Sequence, residues 1–220
     1  MKRTLFVLAG LALVIGFFLA ASVVRERRAE ELGSLAQEQS SIFVRPHSPT
    51  LGGEDAEVVL VEFTDPACET CATFSPLVKR FLEEHPGRVR FVLRYAPFHQ
   101  GSEEVVRILE AARKQGRFWE TLDLLYRSQR TWTQHHQVRL DQVWVVLALA
   151  GLDLERLRRD ASDPRIGEVI AQDLADAQTL GVRKTPGFFV DGRPLEPFGV
   201  EPLVALVEAA VRERYPGWDQ

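Results

Sequence analysis

Asp65-Pro66-Ala67-Cys68-Glu69-Thr70-Cys71, set directly behind the apolar run Val58-Val59-Leu60-Val61-Glu62-Phe63 and Thr64, is the stretch from which the rest of the chain is read. The apolar run has strand length and the composition of a central strand covered on both faces. Cys68 and Cys71 are the two cysteines of the chain, three positions apart where that strand hands over to a helix. At this spacing both sulfurs lie on one helix face, within bonding range of each other. The pair reads as a reversible dithiol. Unpaired N–H groups and the positive dipole end at a helix start lower the pKa of a cysteine held there. Cys68 is therefore expected to be the exposed nucleophile, and Cys71, one turn in, the shielded thiol that resolves a mixed disulfide.

A zinc site needs about four ligands, and no second cysteine pair exists. His47, His85, His99, His135 and His136 do not stand at ligand spacing with Cys68 and Cys71. Glu62 interrupts the apolar strand, and a carboxylate there is costly without a partner or a task. Six residues before Cys68, it either lies beneath the dithiol and exchanges protons with Cys71 or points to solvent from an edge position.

With 220 residues, 45% hydrophobic and 26% charged, the chain has material for one sizeable domain. A net charge of -4 gives no reason to expect a nucleic-acid partner. Residues 4–24 carry no charge, with Lys2-Arg3 before them and Arg25-Glu26-Arg27-Arg28 after. That length suits a membrane anchor better than a signal-peptide core, and cleavage after Ser22 is the alternative. A dithiol domain behind an export segment belongs in an oxidising compartment. Residues 25–41 read as a polar tether, residues 42–44 as a short strand, and residues 47–53 as a turn-rich entry.

Beyond Cys71 an apolar stripe at Phe74, Leu77, Val78, Phe81 and Leu82 continues the helix. Pro76 is expected to kink it, and His85-Pro86-Gly87 to stop it. Residues 88–95 alternate, with Val89, Phe91, Leu93 and Tyr95 on one face and Arg88, Arg90 and Arg94 on the other. Strand, helix, strand implies a right-handed crossover and parallel pairing. Residues 101–181 read as a helical block, with helices over 104–115, 118–129 and 140–150, a short one capped by Asp153, and a long one opened by Asp163-Pro164 and closed at Gly181. His135-His136, with Trp132, reads as a surface loop. Residues 187–195 form a hairpin about Asp191-Gly192, and residues 202–214 a closing helix.

Glu62, Cys68-x-x-Cys71, the helical block and Thr185-Pro186 before the last hairpin together resemble the DsbA-like branch of the thioredoxin superfamily, over about residues 51–211. The resemblance implies an α/β thioredoxin fold, a central mixed sheet flanked by helices with an inserted all-helical subdomain, preceded by an N-terminal anchor or signal segment. The expected divisions are 1–24 anchor, 25–50 tether, 51–98 first part of the fold, 99–181 insertion and 182–215 second part. It also implies that Pro186 is cis and faces the dithiol, and that the Thr185 backbone pairs with an extended substrate.

Strong oxidases of this branch carry Pro-His between the cysteines, and this chain has Glu69-Thr70. Glu69, with Asp65, is expected to oppose thiolate formation and move the poise toward reduction by tens of millivolts. The implied activity is envelope thiol:disulfide exchange with cysteine-containing proteins and a membrane redox partner, with Phe98-His99 and the helical block shaping that surface. The location implied is the bacterial inner membrane with the catalytic domain in the periplasm, or free in the periplasm after cleavage. The chain is expected to be monomeric and to use no cofactor and no metal. Net direction, oxidation against reduction or isomerisation, stays open. The alternatives are a chaperone or a copper-handling assembly factor on the same scaffold.

Overall fold

The computed structural model describes residues 40–134 and 137–217, together with 15, 16, 23–25, 27 and 28. Helix α1 (Ser40–Phe43) and strand β1 (Thr50–Gly52) lead into β2 (Val58–Thr64), α2 (Glu69–Glu84) and β3 (Val89–Tyr95). Then come α3 (Ser102–Arg113), α4 (Phe118–Arg127), α5 (Gln129–Trp132), β4 (Thr133–Gln134), β5 (Gln137–Val138), α6 (Leu140–Leu147) and α7 (Leu154–Ala161). Helix α8 (Pro164–Thr179) returns the chain to the sheet, which β6 (Gly187–Val190) and β7 (Arg193–Pro194) complete before α9 (Val200–Arg214).

The five-stranded sheet has the order β1-β3-β2-β6-β7. Strands β2 and β3 are parallel, and β1, β6 and β7 join antiparallel, so the sheet is mixed. β2 lies at its centre, and its side chains separate by parity. Val58 and Leu60 pack with Phe74, Val78 and Phe81 of α2 and Val207 and Val211 of α9, whereas Val61 and Phe63 pack with Phe43, Leu180 and Phe189 on the other face. Burying each of these large side chains is worth about 1.5–3 kcal/mol. A run without polar alternation is what a doubly covered strand requires.

Pro76 lies inside α2 without ending it, and the helix closes at His85, whose N–H donates to the Phe81 carbonyl. Asp153 and Asp163 cap α7 and α8 by accepting from the N–H groups of Arg156 and Arg165. The hairpin turn has both residues at positive φ, 47° for Asp191 and 77° for Gly192, the backbone of a two-residue turn that keeps strand twist.

Several expectations are corrected. Residues 42–44 do not form a strand: Ser40–Phe43 is a helical turn that buries Ile42 and Phe43 against the sheet. The entry at 47–53 contains β1, an edge strand whose pairing with β3 supplies the order that its own composition lacks. The insertion is not wholly helical, since β4 and β5 pair within it. Trp132 is fully buried rather than on a surface loop, and its indole N–H donates to the Leu125 carbonyl at 2.9 Å. His135 and His136 lie outside the described residues.

Arg94, on the strand face opposite Val89, Phe91, Leu93 and Tyr95, is 0% exposed. Its guanidinium donates to Asp173 at 2.7 and 2.9 Å and to Asp176 at 2.5 Å, both on α8, and to the Ile42 carbonyl. Arg45 adds a two-pronged bond to Asp176 at 2.7 and 2.8 Å, and Asp173 also accepts the Tyr95 N–H. A buried charge is tolerable when paired and hydrogen-bonded in this way.

Most of the anchor expected over residues 1–24, and residues 26 and 29–39 of the tether, lie outside the described residues. Among the described residues no helix is long and apolar enough to cross a membrane.

Candidate functional site

β2 ends at Thr64, and the chain crosses residues 65–68 to enter α2. Asp65 shapes that crossing. One carboxylate oxygen accepts the Ala67 N–H at 2.8 Å and the Ser102 hydroxyl; the other accepts the His99 N–H at 2.8 Å and lies 2.7 Å from His99 Nδ1. Gln129, at the start of α5, donates to the Pro66 carbonyl at 2.9 Å. The insertion thus braces the loop that delivers the cysteines.

Cys68 is the N-cap of α2, with extended backbone (φ −77°, ψ 119°). Both cysteines are free thiols. The expected exposure of Cys68 is corrected: 6% of its surface is open. Its thiol donates to the Thr185 carbonyl at 3.2 Å. Hydrogen bonding from the Cys71 side chain, then from the Thr185 side chain and from the backbone amides of Cys71 and Thr70, outweighs burial and brings the Cys68 thiol down to about 5. The amide contribution is the helix-start effect read from the sequence. Glu69 is exposed, Asp65 is spent on bracing the loop, and neither is among the largest influences on Cys68.

Cys71 is fully buried; desolvation, the bond to Cys68 and the charge of Glu62 push its thiol well above the ordinary value. Glu62 is 3% exposed. It occupies the middle of the sheet, opposite Leu93 on β3 and Phe188 on β6, so the edge-position alternative does not apply. Desolvation raises its carboxyl to about 8, with the neighbouring Cys68 adding to the rise and Thr64 opposing it. Its Oε1 has no hydrogen-bond partner.

Antiparallel pairing of β6 with β2 begins at Phe63 opposite Gly187, which carries Thr185-Pro186 to the end of β2 beside Cys68. The Thr185–Pro186 bond is cis, as is Glu196–Pro197. Around this edge lie Phe74, Phe188 and Phe198, with ring centroids 5.5 Å apart for Phe74 and Phe188 and 5.1 Å for Phe74 and Phe198. Phe198 is 53% exposed, and Phe98 is exposed as well.

The structure therefore brings Cys68, Cys71, Glu62, Thr185 and Pro186 together. Sequence reasoning missed Thr64 and Tyr126. Thr64 is fully buried, its hydroxyl is 2.8 Å from that of Tyr126, and it opposes the rise that burial imposes on the Glu62 carboxyl and the Cys71 thiol. Two-residue alternation from Glu62 along the strand was the available signal for Thr64. Tyr126 had none, because it arrives from the insertion. Glu84, His85 and Glu208 form the one cluster of metal-ligand type found among the described residues, at the other end of α2, where His85 already pairs with Glu208 at 3.1 Å.

Residues 45–209 match the family model described as Thioredoxin. A thioredoxin-like oxidoreductase from Silicibacter pomeroyi DSS-3 is 30% identical, with a TM-score of 0.68 over 78% of this chain and 96% of that one. Wolbachia pipientis α-DsbA1 shares the fold at 17% identity, with a TM-score of 0.70 over 80% of this chain and 96% of that one. Among curated relatives, a protein named Na(+)/H(+) antiporter NhaA from Herminiimonas arsenicoxydans is 31% identical over 189 residues, 84% of this chain and 30% of the relative. The chain spans about 30% of the length of the first curated relatives it matches.

Proposed function

The chain belongs to the thioredoxin family, and from that premise we propose that it is a thiol:disulfide oxidoreductase of the DsbA-like branch, exchanging disulfides with cysteine-containing proteins through Cys68 and Cys71. The observation that carries this reading is the Cys68 thiol: at the N-cap of α2, touching the Thr185 carbonyl, and acidified to about 5 directly above a buried second thiol and a buried carboxyl. Cys68 attacks as thiolate and a mixed disulfide forms. Cys71, relieved of its proton by Glu62, displaces the substrate sulfur. Thr185 and Pro186 hold the substrate chain, extended, beside the sheet edge. Cys68→Ser should take disulfide exchange with a reduced or oxidised peptide to the uncatalysed rate. Retained activity would instead favour a chaperone on this scaffold.

The acidity of Cys68 also bears on direction. A thiol at about 5 rather than thioredoxin's roughly 7 stabilises the reduced form at pH 7 by about 2 kcal/mol, a shift of some tens of millivolts upward from thioredoxin's potential. That is more oxidising than thioredoxin and well short of a strong oxidase, a poise suited to isomerisation and mild oxidation. Equilibration against glutathione measures it. A value as low as thioredoxin's would assign a reductase instead.

The same reading places the dithiol domain on the periplasmic side of the bacterial inner membrane, with residues 1–24 as anchor or removed export segment and residues 25–50 as tether. It treats the chain as a monomer served by a membrane redox partner that docks near Phe98 and Phe198. Antiport is not carried over, since the stretch matched to those relatives is the part that bears the thioredoxin-family fold.

A further inference from the structure

Two hollows flank residues 181–183, the segment that leads into Thr185-Pro186. One, of about 290 Å³, has Pro186 and Phe198 in its wall together with the charged groups Arg28, Arg183, Lys184 and Glu196. The other, of about 430 Å³, lies between Phe98, Gln178 of α8 and Arg183. Phe98 and Phe198, 46% and 53% exposed, give each hollow an apolar wall. Arg183 and Lys184 are exposed, and among the described residues neither forms an ion pair. Arg28 reaches the first hollow with its guanidinium against Gly181, where a Cβ would stand 2.5 Å from it. Three cations thus meet one carboxylate, Glu196, in a chain whose net charge is -4. Glu69, exposed on α2 next to Cys68, adds an opposing charge. Lys184 and Arg183 directly precede Thr185, whose carbonyl is 3.2 Å from the Cys68 thiol. At about 3.3 Å per extended residue, their long side chains reach a peptide that crosses from Thr185 into either hollow.

We propose that Arg183 and Lys184 select the substrate: polypeptides whose reactive cysteine is flanked by acidic residues, with apolar side chains beyond them that enter the hollows at Phe98 and Phe198. This rests on the oxidoreductase reading and adds to it which polypeptides the dithiol serves. Charge complementarity acts here twice. Opposite charge raises the rate of encounter, most strongly at low salt. It also bears on the bond that breaks. Cys68 attacks one sulfur of the substrate disulfide as thiolate, the S–S bond breaks, and the second sulfur leaves with the electron pair as a thiolate that takes a proton from water. Cys71 then displaces the first sulfur, so that the protein's two thiols lose two electrons and the substrate disulfide gains them. Carboxylates beside a substrate sulfur raise its thiol pKa and make it a poorer leaving group. Arg183 and Lys184 offset that penalty at the place where the sulfur departs. Anionic lipid is the other ligand a cationic patch can meet. These cations line concave hollows beside a reacting thiol rather than a flat face, which favours an extended polypeptide.

The test oxidises the full reduced chain with three synthetic peptides, each closed by an internal disulfide and differing only in a pair of Glu, Gln or Lys residues beside one cysteine. Loss of the protein's thiols gives the rate, in about 20 mM and about 500 mM salt, which set long and short screening lengths. At low salt the Glu peptide should react about fivefold faster than the Gln peptide, and the Lys peptide slower, the spread that a few exposed charge pairs allow. At high salt the Glu-to-Gln ratio should fall below about twofold. Replacing the cations together, Arg183→Gln with Lys184→Gln, should bring the ratio near unity, and Arg183→Glu with Lys184→Glu should invert it. Each ratio is taken within one variant, so damage to the thiol or the fold, common to all three peptides, cancels. A low-salt ratio near unity in the parent, or one that the double charge reversal leaves unchanged, overturns the proposal. So does co-sedimentation with phosphatidylglycerol vesicles that the reversal abolishes while the peptide ratio stays near unity, which assigns the patch to a membrane surface. A parent chain that reduces none of the three peptides strikes the oxidoreductase reading instead.

Discussion

Strands β2 and β3 bury one ionisable cluster on each face of the sheet, and the two are provisioned in opposite ways. On the α8 face Arg94 is enclosed by Asp173, Asp176 and the Ile42 carbonyl, with Arg45 and the Tyr95 N–H taking up the remaining carboxylate oxygens. On the α2 face Glu62 keeps an oxygen without a partner, and its carboxyl sits near 8. The depth is similar, yet one cluster is saturated and charged whereas the other is held close to its titration point. The saturated cluster ties α8 and residues 42–45 to the sheet. The unsaturated one is left free to move a proton. Burial alone marks neither as functional; the count of unspent hydrogen-bonding groups does.

That contrast is open to breakage in order of size. Asp173→Ala strips Arg94 of one of its two carboxylate partners and leaves it to share Asp176 with Arg45, so the folded state should lose about 3 kcal/mol while the pH midpoint of Cys68 alkylation stays put. Chemical denaturation and alkylation of the same variant check both halves. A movement of that midpoint by a unit or more would show that the two faces are coupled rather than separate.

Glu62→Gln should act in the opposite sense. The folded carboxyl near 8 lies above the unfolded value of about 4.5, so the folded state binds the proton more tightly and is penalised as pH rises between the two. Removing the carboxyl should therefore stabilise the fold by about 3 kcal/mol at pH 7, more at pH 8, and hardly at all at pH 4. Resolution of a mixed disulfide should slow in the same variant. Denaturation midpoints that shift equally at pH 4 and pH 8 would remove the buried carboxyl from the account.

The smallest effect is expected at the surface. Glu69→Gln removes a solvent-exposed charge next to Cys68, and it should move the Cys68 midpoint by less than about 0.3 units, as screening in water allows. A downward shift of a unit would restore the like-charge opposition first expected from Glu69 and Asp65.

Local pattern carried the α2 face. The apolar run, the cysteine spacing, the stripe on α2, the caps at Asp153 and Asp163 and the Asp191-Gly192 turn are each decided within a few residues, and each was readable. The α8 face was not readable, because Arg94 meets Asp173 across 79 residues of chain and strand alternation shows only that it stands opposite the apolar face. Tyr126 reaches Thr64 across 62 residues, from a helix whose pattern shows only an apolar stripe. Edge strand β1 and the helical turn at Ser40–Phe43 gain their conformation from what they pack against. The acidity of Cys68 was half readable: the helix start was visible at Cys68-x-x-Cys71, while the contribution of the Thr185 side chain needed the pairing of β6 with β2 to bring it beside the thiol.

The pH dependence of Cys68 alkylation by iodoacetamide, followed in the reduced chain, tests the central claim most directly. The rate should rise through a single midpoint near 5, as the hydrogen bonds from Cys71, Thr185 and the α2 amides require. A midpoint near 8.5, the ordinary thiol value, would contradict it.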